Sequence, residues 1–158
     1  LLSNRPRSHI GQATHGSDGS KHESLIARGT GSVVEDPQPL FMDGRGIFDF
    51  ALTEVPADIA RCLDVNAVTM EDIDLVVMHQ ANAFMLSALA KRMSLPTEKL
   101  VVALKDVGNT TSSSIPIALQ HRILTLEELP HRVLLSGFGV GLSWGSTLLT
   151  SAGEKSRE

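Results

Sequence analysis

Two hydrophobic periods alternate along most of the chain. Phe48, Ala51, Leu52, Val55, Ile59, Cys62 and Leu63 recur at helical intervals, which predicts an amphipathic helix over residues 48–63, with Pro56 as a kink or break because proline supplies no N–H. The run 74–78 is apolar without a break after Asp74 and β-branched at Val76 and Val77, as in a buried strand of a mostly parallel sheet. From Ala81 the apolar set becomes Ala81, Phe84, Met85, Ala88, Leu89 and Met93, one face of a helix. His79 is thereby placed between a strand end and a helix start. Residues 100–104 read as a second buried strand, followed by the polar loop 105–111. Residues 112–124 read as a helix that accepts Pro116 only in its first turn. A third strand over 132–136 runs into the glycine loop 137–141, and residues 142–150 return beside it as a hairpin partner.

Before Met42 the pattern fades. Residues 1–40 are rich in glycine, serine, histidine and charge, and only 8–13 and 31–34 have strand character. These are expected to be N-terminal strands and loops of the same domain as residues 41–150, with 151–158 a frayed tail. The fold class expected is α/β, a mixed and mostly buried sheet with helices on both faces. The chain has 158 residues, 42% of them hydrophobic and 20% charged, enough for one domain with a substantial core. A net charge of −4 gives no basic surplus for nucleic acid. One cysteine excludes an internal disulfide, and no apolar run reaches membrane-spanning length. A cytoplasmic protein without nucleic-acid or membrane partners is expected.

Ligands of open α/β sheets bind outside the strand C-termini, where His79, Asn109 and the 137–141 loop all fall. A neutral imidazole and a carboxamide can each donate an N–H to an enolate or oxyanion in a dry cleft, and Asn82 lies one turn beyond His79. Gly141-Leu142-Ser143-Trp144-Gly145 fits a serine-nucleophile pattern, but that pattern needs a following helix and a later histidine. No histidine follows Ser143. His9, His15 and His22 are too widely spaced for a metal site, so no metal and no cofactor are expected. Cys62, near the C-terminal end of its helix, is read as core packing, since the dipole there opposes a thiolate.

His79-Gln80-Ala81-Asn82, Gly108-Asn109-Thr110-Thr111-Ser112-Ser113-Ser114-Ile115-Pro116 and Phe138-Gly139-Val140-Gly141-Leu142-Ser143-Trp144-Gly145-Ser146 resemble signature blocks of the beta-ketoacyl-acyl carrier protein synthase III family. Met42-Asp43-Gly44-Arg45-Gly46-Ile47-Phe48 and Ser17-Asp18-Gly19-Ser20 resemble two more. The resemblance implies the C-terminal half of a thiolase-like fold, with residues 41–150 as its catalytic part. Its N-terminal half would carry the nucleophilic cysteine, which nothing in this chain matches. His79 and Asn109 match the rest of a Cys-His-Asn triad, and would stabilise the enolate formed when malonyl-acyl carrier protein loses carbon dioxide and attacks an acyl group taken from acyl-CoA. The N–H of Val140, between Gly139 and Gly141, matches an oxyanion-hole position, with valine where glycine is usual. Gly44, Arg45 and Asn82 match the lining of the pantetheine tunnel. Lys91 and Arg92 match basic positions that dock an acidic carrier protein, while Phe84 replaces an arginine and Asp49 stands where a lysine can occur. The complete enzyme is expected to be a homodimer in fatty acid or polyketide synthesis, and this chain alone to be inactive. Alternatives are half of an acyltransferase that forms no carbon–carbon bond, and a non-catalytic partner subunit.

Overall fold

The computed structural model describes residues 8–28, 40–126 and 130–151; the strand expected at 31–34 and the tail beyond Ser151 lie outside them. Strands β1 (Ser8–Ile10) and β2 (Thr14–Ser17) precede a two-stranded ribbon of β3 (Leu25–Ile26) and β4 (Phe41–Met42), then α1 (Gly44–Val65). Next come β5 (Leu75–Met78), α2 (Ala83–Arg92), α3 (Ser114–Ile123), β6 (Arg132–Gly139) and β7 (Ser143–Ser151). The main sheet runs β1-β7-β6-β5, with β2 also on β7. Only β5 and β6 pair in parallel, Val76 opposite Leu134 and Met78 opposite Ser136. The sheet is therefore mixed, as the fold class expected, and less parallel than the apolar run of β5 suggested by itself, because β7 returns as a hairpin and gathers β1 and β2 antiparallel to itself.

Strand alternation divides the core. Val76, Met78, Leu134 and Phe138 face α1 and α2 in one cluster, while Leu75, Val77 and Val133 face Ile115, Ala118 and Leu119 of α3 in another. Helices thus cover both faces. Full burial of Val55, Leu86 and Leu89 contributes about 1.5–3 kcal/mol each.

Helix α1 begins four residues earlier than its apolar period suggests. Asp43 caps it, its carboxylate accepting from the N–H groups of Arg45 at 3.2 Å and Gly46 at 3.0 Å. Pro56 does not break the helix. The lost hydrogen bond and clash cost about 3 kcal/mol, and they are offset by the buried stripe Ala51, Val55, Ile59 and Cys62 on either side. Pro116 lies in the first turn of α3, preceded by a short 3-10 turn over Thr111–Ser113.

Residues 100–104 do not form the expected buried strand. They touch the sheet through a single bridge, Val76 to Leu100, and the bond from Val101 N–H to the Val76 carbonyl at 3.0 Å. Val102 is 50% exposed. The side chain of Gln80 occupies the next position of the ladder, accepting from Ala103 N–H at 2.9 Å and donating to the carbonyls of Met78 at 2.8 Å and Val101 at 3.2 Å. Strand β6 extends three residues beyond its expected end, taking Gly137 and Gly139 into pairing with Gly145 and Ser143, so the glycine loop narrows to a turn at residues 140–142. Strand β2 had no apolar alternation to reveal it. Its Gly16 lies so close to the Trp144 indole that a Cβ there would overlap it.

Candidate active site

His79 extends β5 by one bond, its N–H donating to the Ser136 carbonyl at 2.8 Å. Strand parity turns its side chain toward α3, whose first residue, the buried Ser114, has Oγ 2.7 Å from His79 Nδ1. The same oxygen accepts from Gln80 N–H at 3.3 Å. Phe138, at the end of β6, meets the imidazole edge-on with centroids 5.4 Å apart. Burial holds the His79 pKa below its ordinary value, and a hydrogen bond with the Thr111 backbone opposes the shift. The imidazole is accordingly neutral near neutral pH.

Asn109 arrives from an independent segment. Gly108 takes a φ of 63°, and Asn109 Oδ1 accepts from Thr111 N–H at 2.9 Å, closing a local turn. With its oxygen so engaged, the carboxamide NH2 has no partner among the described residues. Thr111 has a φ of 53°, a left-handed conformation that costs a β-branched residue about 1–3 kcal/mol and persists where its surroundings enforce it.

His79 and Asn109 line one cavity of about 420 Å³. Gly44 and Arg45 reach it from the first turn of α1, Asn82 from the cap of α2, and Phe138 and Gly139 from the end of β6. Leu25, Met42, Ile47, Phe48, Phe84 and Met85 make the remaining walls mainly apolar. Asn82 is tied to its helix, its Oδ1 accepting from Met85 N–H at 2.8 Å. Arg45 lies 3.9 Å from Asp49. Phe84, 73% exposed, stacks on Phe48 with centroids 5.3 Å apart.

Other expected residues fall elsewhere. Val140, 67% exposed, and Gly141 form the turn beyond Gly139 and do not line the cavity. The positive φ of that turn, 140°, is taken by Gly141 and not by Val140, so valine imposes no left-handed strain. Lys91 and Arg92 are exposed in the last turn of α2, about 13 Å along the axis from Asn82. Cys62 is buried, and desolvation raises its thiol pKa. Ser143 opens β7 and continues as strand, not helix, through Ser151. Among the described residues no three His, Cys, Asp or Glu side chains converge as a metal site, and no helix is long and apolar enough to cross a membrane. Sequence reasoning missed Ser114, Phe138 and the Gln80 side chain as parts of the site. The only available signal was their position inside the same polar and glycine blocks as His79 and Asn109.

The chain is similar to known proteins in sequence and in fold. The chain is 39% identical over 141 residues to the beta-ketoacyl-[acyl-carrier-protein] synthase III of Streptococcus uberis, covering 84% of this chain and 44% of that protein. The crystal structure of the synthase III from Thermus thermophilus superposes with a TM-score of 0.82 at 31% identity, covering 95% of this chain and 48% of that one. The priming beta-ketosynthase of the R1128 polyketide pathway superposes with a TM-score of 0.81, also at 31% identity, covering 94% and 46%. The chain thus spans a little under half the length of these relatives, and its fold is the C-terminal half of the thiolase-like fold. With residues 63–151 matching the family described as 3-oxoacyl-[acyl-carrier-protein (ACP)] synthase III C terminal, the chain belongs to that family.

Proposed function

We propose that this chain is the enolate-stabilising half of a 3-oxoacyl-acyl carrier protein synthase III, which joins an acyl group from acyl-CoA to malonyl-acyl carrier protein with loss of carbon dioxide. The observation that carries the reading is the convergence of His79 and Asn109 on one largely apolar cavity. When the bond from the malonyl α-carbon to its carboxylate breaks, carbon dioxide leaves and the electron pair moves into the thioester. The resulting enolate oxygen needs donors, and His79 Nε2–H and Asn109 Nδ2–H can both supply them. The enolate carbon then attacks the acyl thioester on the cysteine of the other half, and the cysteine thiolate departs.

This role requires the Nε2–H tautomer of His79. Ser114 supports it: having accepted from Gln80 N–H, its hydroxyl can donate to His79 Nδ1. Gly139 borders the cavity, and the N–H of Val140 in the adjoining turn is assigned to the acyl oxyanion hole. Gly44, Arg45 and Asn82 would receive the pantetheine arm, and Lys91 and Arg92 the acidic carrier protein. A cytoplasmic homodimer completes the reading.

The test uses the complete protein, with the cysteine-bearing half present. His79→Ala and Asn109→Ala should each leave acylation of the cysteine by acyl-CoA intact and lower malonyl decarboxylation about 10²-fold, as for a lost oxyanion-hole donor. Equal loss in both half-reactions would reject the assignment, and a protein that transfers acyl groups without releasing carbon dioxide would reject the condensation itself.

A further inference from the structure

Gln80 is 1% exposed, yet its side chain makes three hydrogen bonds to backbone groups. In a parallel ladder the bond from Val101 N–H to the Val76 carbonyl would be followed, two residues on, by one from Ala103 N–H to the Met78 carbonyl. That bond is absent, and the Gln80 carboxamide stands between its two ends. Its Nε2 donates to the Met78 carbonyl at 2.8 Å while its Oε1 accepts from Ala103 N–H at 2.9 Å. The amide acts as a spacer one peptide group wide, holding residues 101–104 away from β5 without leaving a buried group unpaired. A third bond, from Nε2 to the Val101 carbonyl at 3.2 Å, fixes its orientation.

The two parts so separated are those that deliver the site. Met78 is followed directly by His79, and residues 101–104 lead into the turn that carries Asn109. Gln80 N–H also donates to Ser114 Oγ, the atom beside His79 Nδ1. We propose that Gln80 is a positioning residue that sets the separation between His79 and Asn109 by wedging its carboxamide into the ladder between β5 and residues 101–104. The proposal rests on the reading of those two residues as a donor pair. Gln80 itself does not line the cavity and touches no substrate.

The experiment again uses the complete protein. In Gln80→Ala, Ala103 N–H is released to pair with the Met78 carbonyl, and the Asn109 turn moves with it. Decarboxylation should fall about 10²-fold, the cost of roughly a 1 Å misplacement, while acylation of the cysteine is unchanged. Hydrogen exchange should alter in peptides spanning 100–110 and not in those spanning 75–78. Gln80→Met, which keeps the length and lacks the amide, carries the same expectation should the alanine variant fail to fold. Either folded variant decarboxylating at the parent rate, while His79→Ala and Asn109→Ala lose the reaction, would overturn the proposal. So would equal loss of both half-reactions, which marks a merely structural role. If His79→Ala and Asn109→Ala decarboxylate normally, it is the donor-pair reading that fails, and unchanged exchange over 100–110 in Gln80→Ala would then overturn the wedge independently. In the parent protein the Gln80 side-chain amide protons should exchange slowly by NMR; rapid exchange would refute the buried spacer whatever the variants do.

Discussion

Replacing Ser114 with alanine removes one oxygen that two groups of the site share. Ser114 Oγ lies 2.7 Å from His79 Nδ1 and accepts from Gln80 N–H at 3.3 Å. A single hydrogen bond contributes about 0.5–1.5 kcal/mol net, so losing that bias brings the two tautomers toward parity, and the share of Nε2–H, with the rate it supports, falls by no more than about 2-fold. Leaving the Gln80 N–H buried and unpaired costs about 1–3 kcal/mol of stability as well. In the complete protein, Ser114→Ala should slow release of carbon dioxide from a malonyl thioester by that factor, leave cysteine acylation unchanged, and lower the urea midpoint. Nitrogen chemical shifts of His79 should move toward an even mixture of tautomers. An unchanged decarboxylation rate in Ser114→Ala, with His79→Ala strongly impaired, would show that the hydroxyl does not govern the tautomer.

Burial lowers the His79 pKa, so the unfolded chain takes up this proton first as pH falls. The group's contribution to stability is then full above the ordinary histidine value and is lost as pH drops through the lower folded value. The acid limb of decarboxylation should lie below the ordinary histidine value; a limb at or above it in the pH–rate profile would contradict the half-buried, neutral imidazole. Charge reversal of Lys91 and Arg92 to glutamate should raise the KM for malonyl-acyl carrier protein in a salt-dependent way, leaving acyl-CoA use unchanged, whereas equal KM values in both proteins would remove α2 from the docking surface. Leu86→Ala, at a position 0% exposed, should cost about 2–5 kcal/mol by urea denaturation; a loss near zero would mean that α1 and α2 do not pack as described.

What was legible along the chain is what each element records about its own burial. Residues 75–78 are buried on every side and carry an unbroken apolar run, and α2 shows its helical period because one face meets α1. These local periods sufficed to put His79 at a strand end and Asn109 in a loop, and the ordered blocks around them sufficed for the family. They misjudged places where a distant contact outweighs local preference. Packing of the Ala51, Val55 and Ile59 stripe carries α1 through Pro56, and the Trp144 indole seats Gly16 in a strand with no apolar pattern. Residues 100–104 are apolar as a strand would be, yet the Gln80 carboxamide takes the ladder position they needed. Tertiary structure alone decided that Ser114 would touch a histidine 35 positions away, whereas the cavity that His79 shares with Asn109 is implied by the resemblance of their blocks. Periodicity reports which side of a residue faces the interior, whereas the distance between two loops depends on how the elements beneath them pack, and here a buried side chain sets that spacing.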